Sequence, residues 1–134
     1  MNKKGCHPKY HQLDIDDEAS VLAFRDYLKE NYGGLDVLVN NAGIFVQWKD
    51  GSDEQFAEGA RKTINTNFFG TRRVSNTLFP LLRPHARVVN LSSMLGHLIM
   101  IDGQDQAAKD LRAKLASSEL TEDELVKIME QFVE

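Results

Sequence analysis

An internal disulfide is excluded at the outset, because Cys6 is the single cysteine in 134 residues. That fits a reducing compartment, where structural disulfides are rare. Cys6 is also poorly placed as a nucleophile, since no base is paired with it in its terminal segment. Positive charge is in short supply as well: 16 Lys and Arg stand against 20 Asp and Glu, a net charge of −4. A duplex or an acidic membrane surface needs clustered Lys and Arg, so neither nucleic acid nor membrane is an expected partner. No apolar run approaches the roughly 20 residues of a membrane span. Met1-Asn2-Lys3-Lys4-Gly5 lacks the apolar core of a signal peptide, and a cytoplasmic location is expected. Internal repeats, low-complexity segments and recognisable linkers are missing too.

What remains is a chain that is 42% hydrophobic and 27% charged, ordinary for a globular protein and long enough for one compact domain. Its organising stretch is Asp36-Val37-Leu38-Val39-Asn40-Asn41-Ala42-Gly43. Four residues read as a strand buried on both faces, and amides, a small residue and a glycine follow. An open α/β sheet presents its ligand site at such a strand end. An ordinary turn after a buried strand has the same pattern, and this stretch alone does not separate the two.

Ahead of it, Tyr10 to Ile15 is a strand candidate. Asp16 is the candidate cap of a following helix, with Asp17 and Glu18 in its positive first turn. His7 and His11 have the spacing of helical metal ligands, but Pro8 lies between them and a solvated pair is expected. Glu18 to Tyr32 carries a helical stripe of Val21, Phe24 and Leu28, and Gly33-Gly34 ends it. Strand, helix and strand at short spacing predict a parallel βαβ unit.

Ile44 to Asp53 reads as a loop, with Trp48 lining a pocket or covering the core edge. Glu54 to Leu82 reads as one extended helix with Phe56, Ala60, Ile64 and Phe68 in register and Thr71, Val74 and Leu78 continuing near that face, closed by Pro80 and Pro84. Asn65, Asn67 and Gly70 are poor helix formers in its middle, which calls for an amide with a task or a close approach at the glycine. Ala86 to Ser93 is a second buried-type strand ending in hydroxyls. Two parallel strands with polar ends place those ends side by side. Met94 to Gly103 reads as a loop or lid, and Asp105 to Ser118 as a helix. Thr121 to Glu124 forms a capping box before a stripe of Leu125, Ile128, Met129, Phe132 and Val133, an apolar face with nothing after it to cover it.

These pieces resemble the short-chain dehydrogenase/reductase family. Asn40-Asn41-Ala42-Gly43 matches its Asn-Asn-Ala-Gly motif, Asn67 its catalytic asparagine and Ser93 its catalytic serine. The stretches Gln12–Asp17, Tyr32–Gly43 and Thr66–Arg72, with the helical insertion after the serine, are similar to the NADPH-dependent carbonyl reductases. The resemblance implies an α/β fold, part of a Rossmann-type doubly wound parallel sheet with flanking helices. Residues 1–134 would be the central part of one dinucleotide-binding domain, with insertion helices from about 103 to 134.

By the same resemblance the cofactor is NADPH and the substrate a small carbonyl compound. Asp14 and Ile15 would meet the adenine, and Asn41, Ala42 and Gly43 the ribose and nicotinamide side. Ser93 would hold the carbonyl oxygen, and Asn67 a water in a proton relay. Two family features are missing: the glycine-rich turn for the pyrophosphate, and the Tyr-x-x-x-Lys motif after the serine. Tyr10, Tyr27 and Tyr32 all precede Ser93, and Asn31 stands where Tyr27 would need its lysine. The chain is therefore expected to be inactive alone. In the family's sheet the first strand lies between the second and the central one; without those two strands Tyr10–Ile15 has no neighbour next to Asp36–Asn40, and two unpaired edges are expected. A completed chain is expected to be a monomer, whereas this one could associate through those edges. The alternative reading is a stand-alone, non-catalytic binding module.

Overall fold

The computed structural model describes residue 5, residues 7–46 and residues 51–133. Cys6 and Trp48 lie outside the described residues.

Helix α1 spans Glu18–Tyr32. Its cap is Asp17, whose carboxylate accepts the Ala19 N–H at 2.9 Å, and not Asp16. Asp16 is drawn away by better partners, accepting from the Thr66 hydroxyl at 2.6 Å and the Asn65 amide at 3.3 Å. The helix ends at Gly33, whose φ of 69° lets its N–H reach the carbonyls of Leu28 and Lys29.

Strands β1 (Leu35–Asn40) and β2 (Leu82–Asn90) pair in parallel, as expected of the two strands with polar ends, whereas the βαβ unit expected of Tyr10–Ile15, α1 and β1 does not form. Val37, Leu38, Val39 and Asn40 face Arg87, Val88, Val89 and Asn90 in unbroken register. Below them the register jumps to Leu35 opposite Leu82, and His85 takes up the excess chain with φ 67°. The regular part of β2 thus starts within a residue of the predicted Ala86. The ladder stops at Asn90, leaving Ser92 and Ser93 beyond it.

Tyr10–Ile15 is not a strand. Among the described residues the sheet has two strands, and this segment reaches neither. Side chains hold it instead: Asp14 N–H donates to Ser20 Oγ at 2.9 Å, and Arg73 donates to the Ile15 carbonyl at 2.6 Å. His7 is exposed as expected, while His11 is half-buried, its ring 4.4 Å from that of Tyr27 and 5.3 Å from that of Phe24, centre to centre.

The predicted long helix is a rod of changing pitch: α2 (Asp53–Ile64), a π-helical segment (Asn65–Gly70), α3 (Thr71–Leu78) and a 3₁₀ turn (Phe79–Leu81). Its most buried positions from the π segment onward are Thr66, Gly70, Val74 and Leu78, four residues apart. The predicted stripe holds at Val74 and Leu78, but its start at Phe56 is exposed. The inserted residue of a π turn shifts the buried face, which a regular period cannot anticipate. Gly70 is where the rod meets the Ile15–Asp16 segment; a Cβ there would lie 3.0 Å from both Asp16 Oδ1 and Ile15 Cγ1.

The core is small. Val21, Leu28, Leu38, Val74 and Leu78 are buried, with Leu13, Ile15, Phe24 and Leu35 packed around them. Leu38 faces this core, while Val37 and Val39 on the opposite side of β1 are 55% and 53% exposed.

After short 3₁₀ turns at Met94–Gly96 and Leu98–Met100, α4 (Gln106–Leu115) starts at Asp105 and α5 (Glu122–Val133) at the expected capping box. Thr121 Oγ1 accepts the Glu124 N–H at 3.3 Å, and the Glu124 carboxylate accepts the Thr121 N–H at 3.0 Å. The stripe of α5 is only partly covered: Leu125, Ile128, Met129 and Val133 are half-buried, while Phe132 is exposed. The Arg61 guanidinium of α2 bonds the Val133 carbonyl at 3.0 Å, and Phe132 lines a small cavity with Val46, Gly59 and Ile64. Arg72 of α3 pairs with Glu122 at 2.6 Å.

Candidate functional site

The two strand ends meet as the sequence predicts. The Asn40 side-chain amide donates to Asn90 Oδ1 at 2.8 Å and to Ser75 Oγ at 3.1 Å, and Leu91 N–H bonds the Asn40 carbonyl at 2.9 Å. Asn40 is thereby spent on joining β1, β2 and α3. Asn41, Ala42 and Gly43 leave the rim as exposed residues.

Asn67 reaches this rim from the π segment. Its Oδ1 accepts the Ile44 N–H and its Nδ2 donates to the Ile44 carbonyl, both at 2.8 Å. A side-chain amide that satisfies both groups of one residue stands in for a strand partner. Gly43 lies against it, and a Cβ there would come 3.2 Å from Asn67 Oδ1. The poor helix formers of this segment therefore have tasks: Asn67 fixes the chain after β1, and Asn65 and Thr66 hold Asp16.

A cavity of about 280 Å³ at the carboxyl end of β1 brings Ile15, Asn41 and Ala42 together with Asn40 and Thr71. Asp14 is outside that lining and its Oδ1 accepts the Asp16 N–H at 2.9 Å. Ser93 is in a separate open cavity of about 320 Å³ with Ser92, Met94, Gly96 and His97, where its Oγ accepts the Leu95 N–H at 3.2 Å. The predicted residues thus form two clusters, Ile15–Asn41–Ala42 and Gly43–Asn67, while Ser93 follows the neighbouring strand end in a cavity of its own. Sequence reasoning missed Ser20, Arg73 and Thr66, which position Asp14, Ile15 and Asp16 respectively. Only the polar run around Asn67 hinted at Thr66, and nothing periodic marked the others.

A dinucleotide would find a partly apolar wall and a polar rim here, suited to flat rings and ribose hydroxyls. A pyrophosphate would not find its usual cradle among the described residues. The nearby helix start, that of α1, carries Asp17 and Glu18, which repel an anion. No tyrosine substitutes for the missing acid. The Tyr27 hydroxyl is 3.4 Å from that of Tyr32, a hydrogen bond that, with burial, raises its pKa above the ordinary 10.0. That makes it a weaker proton donor, and it lines a cavity at the start of β1, the end opposite the rim.

The family model for short chain dehydrogenases matches residues 1–122. The chain belongs to the short-chain dehydrogenase family. Within the family it is similar over all 134 residues to NADPH carbonyl reductase 1 of Bos taurus, with 46% identity. It spans 46% of that relative's length, less than half. Among solved short-chain dehydrogenases, menthone neomenthol reductase from Mentha piperita superposes with a TM-score of 0.75 and 29% identity, over 92% of this chain and 53% of that one. Salutaridine reductase from Papaver somniferum gives 0.70 and 25% identity, over 92% and 51%. The Rossmann-type α/β architecture and the carbonyl reductase subgroup read from the sequence both stand, and NADPH is the cofactor those carbonyl reductases are named for.

Proposed function

We propose that this chain is the central region of a dinucleotide-binding domain whose complete form reduces small carbonyl compounds, ketones, aldehydes or quinones, with NADPH. The observation that carries the reading is the pairing of Asn40 with Asn90, which brings the Asn41–Gly43 rim and the Ser92–Ser93 segment to one end of the sheet. Bound NADPH would supply the hydride. Asp14 and Ile15 would hold the adenine, and Asn41, Ala42 and Gly43 the ribose and nicotinamide side. Ser93 would donate to the substrate oxygen as charge develops on it. Asn67 would position a water through the distorted helix that carries it.

The chain by itself is read as inactive. A missing general acid costs a factor on the order of 10² to 10⁴, and cofactor affinity falls without a pyrophosphate cradle. Cytoplasmic location, and a monomer once completed, belong to the same reading. The open edge of β1 supports the second one, a non-catalytic binding module; a stable, monodisperse 134-residue product would favour it.

The test has two arms. The purified chain is titrated with NADPH by fluorescence and mixed with NADPH and a quinone; no turnover is expected, and turnover would refute the inactive reading. A chimera in which this chain replaces the matching region of bovine carbonyl reductase 1 is then assayed for NADPH oxidation. Activity is expected, and a folded but inert chimera would overturn the reductase assignment.

A further inference from the structure

Among the described residues two polar side chains are buried, Ser20 and Thr66, and both turn their hydroxyls to the same short segment. Burying a hydroxyl is costly unless it finds a partner. A helical threonine can find one on its own helix, as Thr63 does on the Gly59 carbonyl at 2.8 Å. Thr66 reaches outside its rod instead and donates to Asp16 Oδ2 at 2.6 Å. Ser20 accepts the Asp14 N–H at 2.9 Å, and Arg73 donates to the Ile15 carbonyl at 2.6 Å. Each residue of Asp14–Asp16 is thus held by a side chain from the helix or rod packed beside it.

These bonds run in series toward one acceptor. Thr66 fixes the Asp16 carboxylate, with the longer Asn65 bond at 3.3 Å beside it. The Asp16 N–H is in turn donated to Asp14 Oδ1 at 2.9 Å. With Oδ1 taken, Oδ2 of the exposed Asp14 is the oxygen left to accept from an amine. The neighbouring Ile15 lines the cavity of about 280 Å³ with Asn41 and Ala42. A carboxylate oxygen beside an apolar wall suits a flat ring that carries an exocyclic amine. Thr66 also precedes Asn67, which holds Ile44 with two bonds of 2.8 Å. Two consecutive residues of the rod therefore set both the wall and the rim.

We infer that Thr66 is a positioning residue for cofactor binding: acting through Asp16, its buried hydroxyl aims the Asp14 carboxylate at the amine of the adenine ring. Thr66 itself touches no part of the ligand. A binding group is only as well placed as the side chains that lock it, and here the lock lies two hydrogen bonds back. The inference rests on the proposed reading of Asp14 and Ile15 as the adenine wall and adds the group that fixes its aim. Without the hydroxyl, Asp16 keeps only the Asn65 bond, and Asp14 loses the firm N–H that orients it. Valine keeps the shape of threonine and removes the donor; serine keeps the donor.

The test is adenosine binding to the 134-residue chain, followed through the amide signals of Asp14 and Ile15 by NMR. Adenosine carries the ring without the phosphates that Asp17 and Glu18 would repel. Saturable shifts of both signals are expected, with an affinity about tenfold weaker in Thr66→Val and unchanged in Thr66→Ser. Asp16→Ala removes the same bond from its exposed end, leaves the core intact and weakens adenosine as Thr66→Val does. Hydrogen exchange without ligand gives a second readout. In Thr66→Val it accelerates at the Asp16 amide by about tenfold beyond any change at Leu38, whose place in the ladder reports the stability of the whole chain. Equal affinity in the unaltered chain, Thr66→Val and Asp16→Ala would overturn the inference and leave the adenine reading standing. An equal loss in Thr66→Ser and Thr66→Val would mark a packing role and overturn it as well. Absence of any shift at Asp14 and Ile15 in the unaltered chain at millimolar adenosine would refute the adenine reading itself, and the inference with it.

Discussion

Gly70→Ala sets two known effects against each other. Gly70 has helical dihedrals, so alanine fits its backbone and would normally stabilise a helix by about 0.8–1 kcal/mol. The added Cβ would stand 3.0 Å from Asp16 Oδ1 and from Ile15 Cγ1, closer than such atoms rest. Neither neighbour is free to retreat. Asp16 is held by the Thr66 hydroxyl at 2.6 Å, and the Ile15 carbonyl by Arg73 at 2.6 Å. Loosening a hydrogen bond to a charged group costs about 1.5–3 kcal/mol, at the lower end for an exposed carboxylate. Crowding at Ile15 adds about 1 kcal/mol. The balance is a loss of about 1–2 kcal/mol, a fall in melting temperature of about 4–8 °C for a chain of this size. Thermal and urea unfolding followed by circular dichroism measure it. In a Thr66→Val background Asp16 keeps only the longer bond from the Asn65 amide, so Gly70→Ala costs less there, with a coupling of about 1 kcal/mol. A higher melting temperature for Gly70→Ala alone would show that helix propensity wins and that the Asp16 anchor is slack.

Asn67→Leu removes both bonds to Ile44, and exchange at the Ile44 amide accelerates by about fivefold to tenfold, equivalent to about 1 kcal/mol; Asn67→Asp keeps the acceptor and most of that protection. Ser93→Ala loses an exposed cap to Leu95 and changes stability by about 1 kcal/mol at most, read by urea unfolding, yet in the chimera it lowers turnover by about 100-fold or more. Bonds from the Thr121 backbone and hydroxyl hold the Glu124 carboxyl below its ordinary 4.5, and Arg72 does the same for Glu122. Their support of α5 is complete above that value and is lost as pH falls through the lowered ones, so helical ellipticity declines on acidification, and Glu124→Gln flattens the part due to Glu124.

The chain's local grammar was legible where residues act through their own neighbours. The bounds of α1, its glycine stop, the capping box of α5 and the parallel pairing of the strands follow from spacing and caps. The strand ends could be placed together because apolar runs closing in amides and hydroxyls have few other arrangements, but the runs are not buried on both faces as predicted, since Val37, Val39, Val88 and Val89 are exposed. Tyr10–Ile15 failed as a strand for a non-local reason: an alternating pattern makes a strand only where a partner backbone is available. Asp16 failed as a cap because Thr66 and Asn65, some fifty residues away, compete for it. Ser93 was expected in the same hollow as the rim, but the turn it caps gives it a separate one.

The six-residue π segment holds one residue more than a regular helix would use over the same rise. Removing a single codon from Asn65–Gly70 would make the rod an ordinary helix with better internal bonding. It would leave Val74 and Leu78 facing inward, since the extra residue is accommodated within the segment itself, but would take the Asn67 amide off Ile44. Frame-preserving deletions here should thus spare the core yet release the chain after β1, although each one improves the local helix.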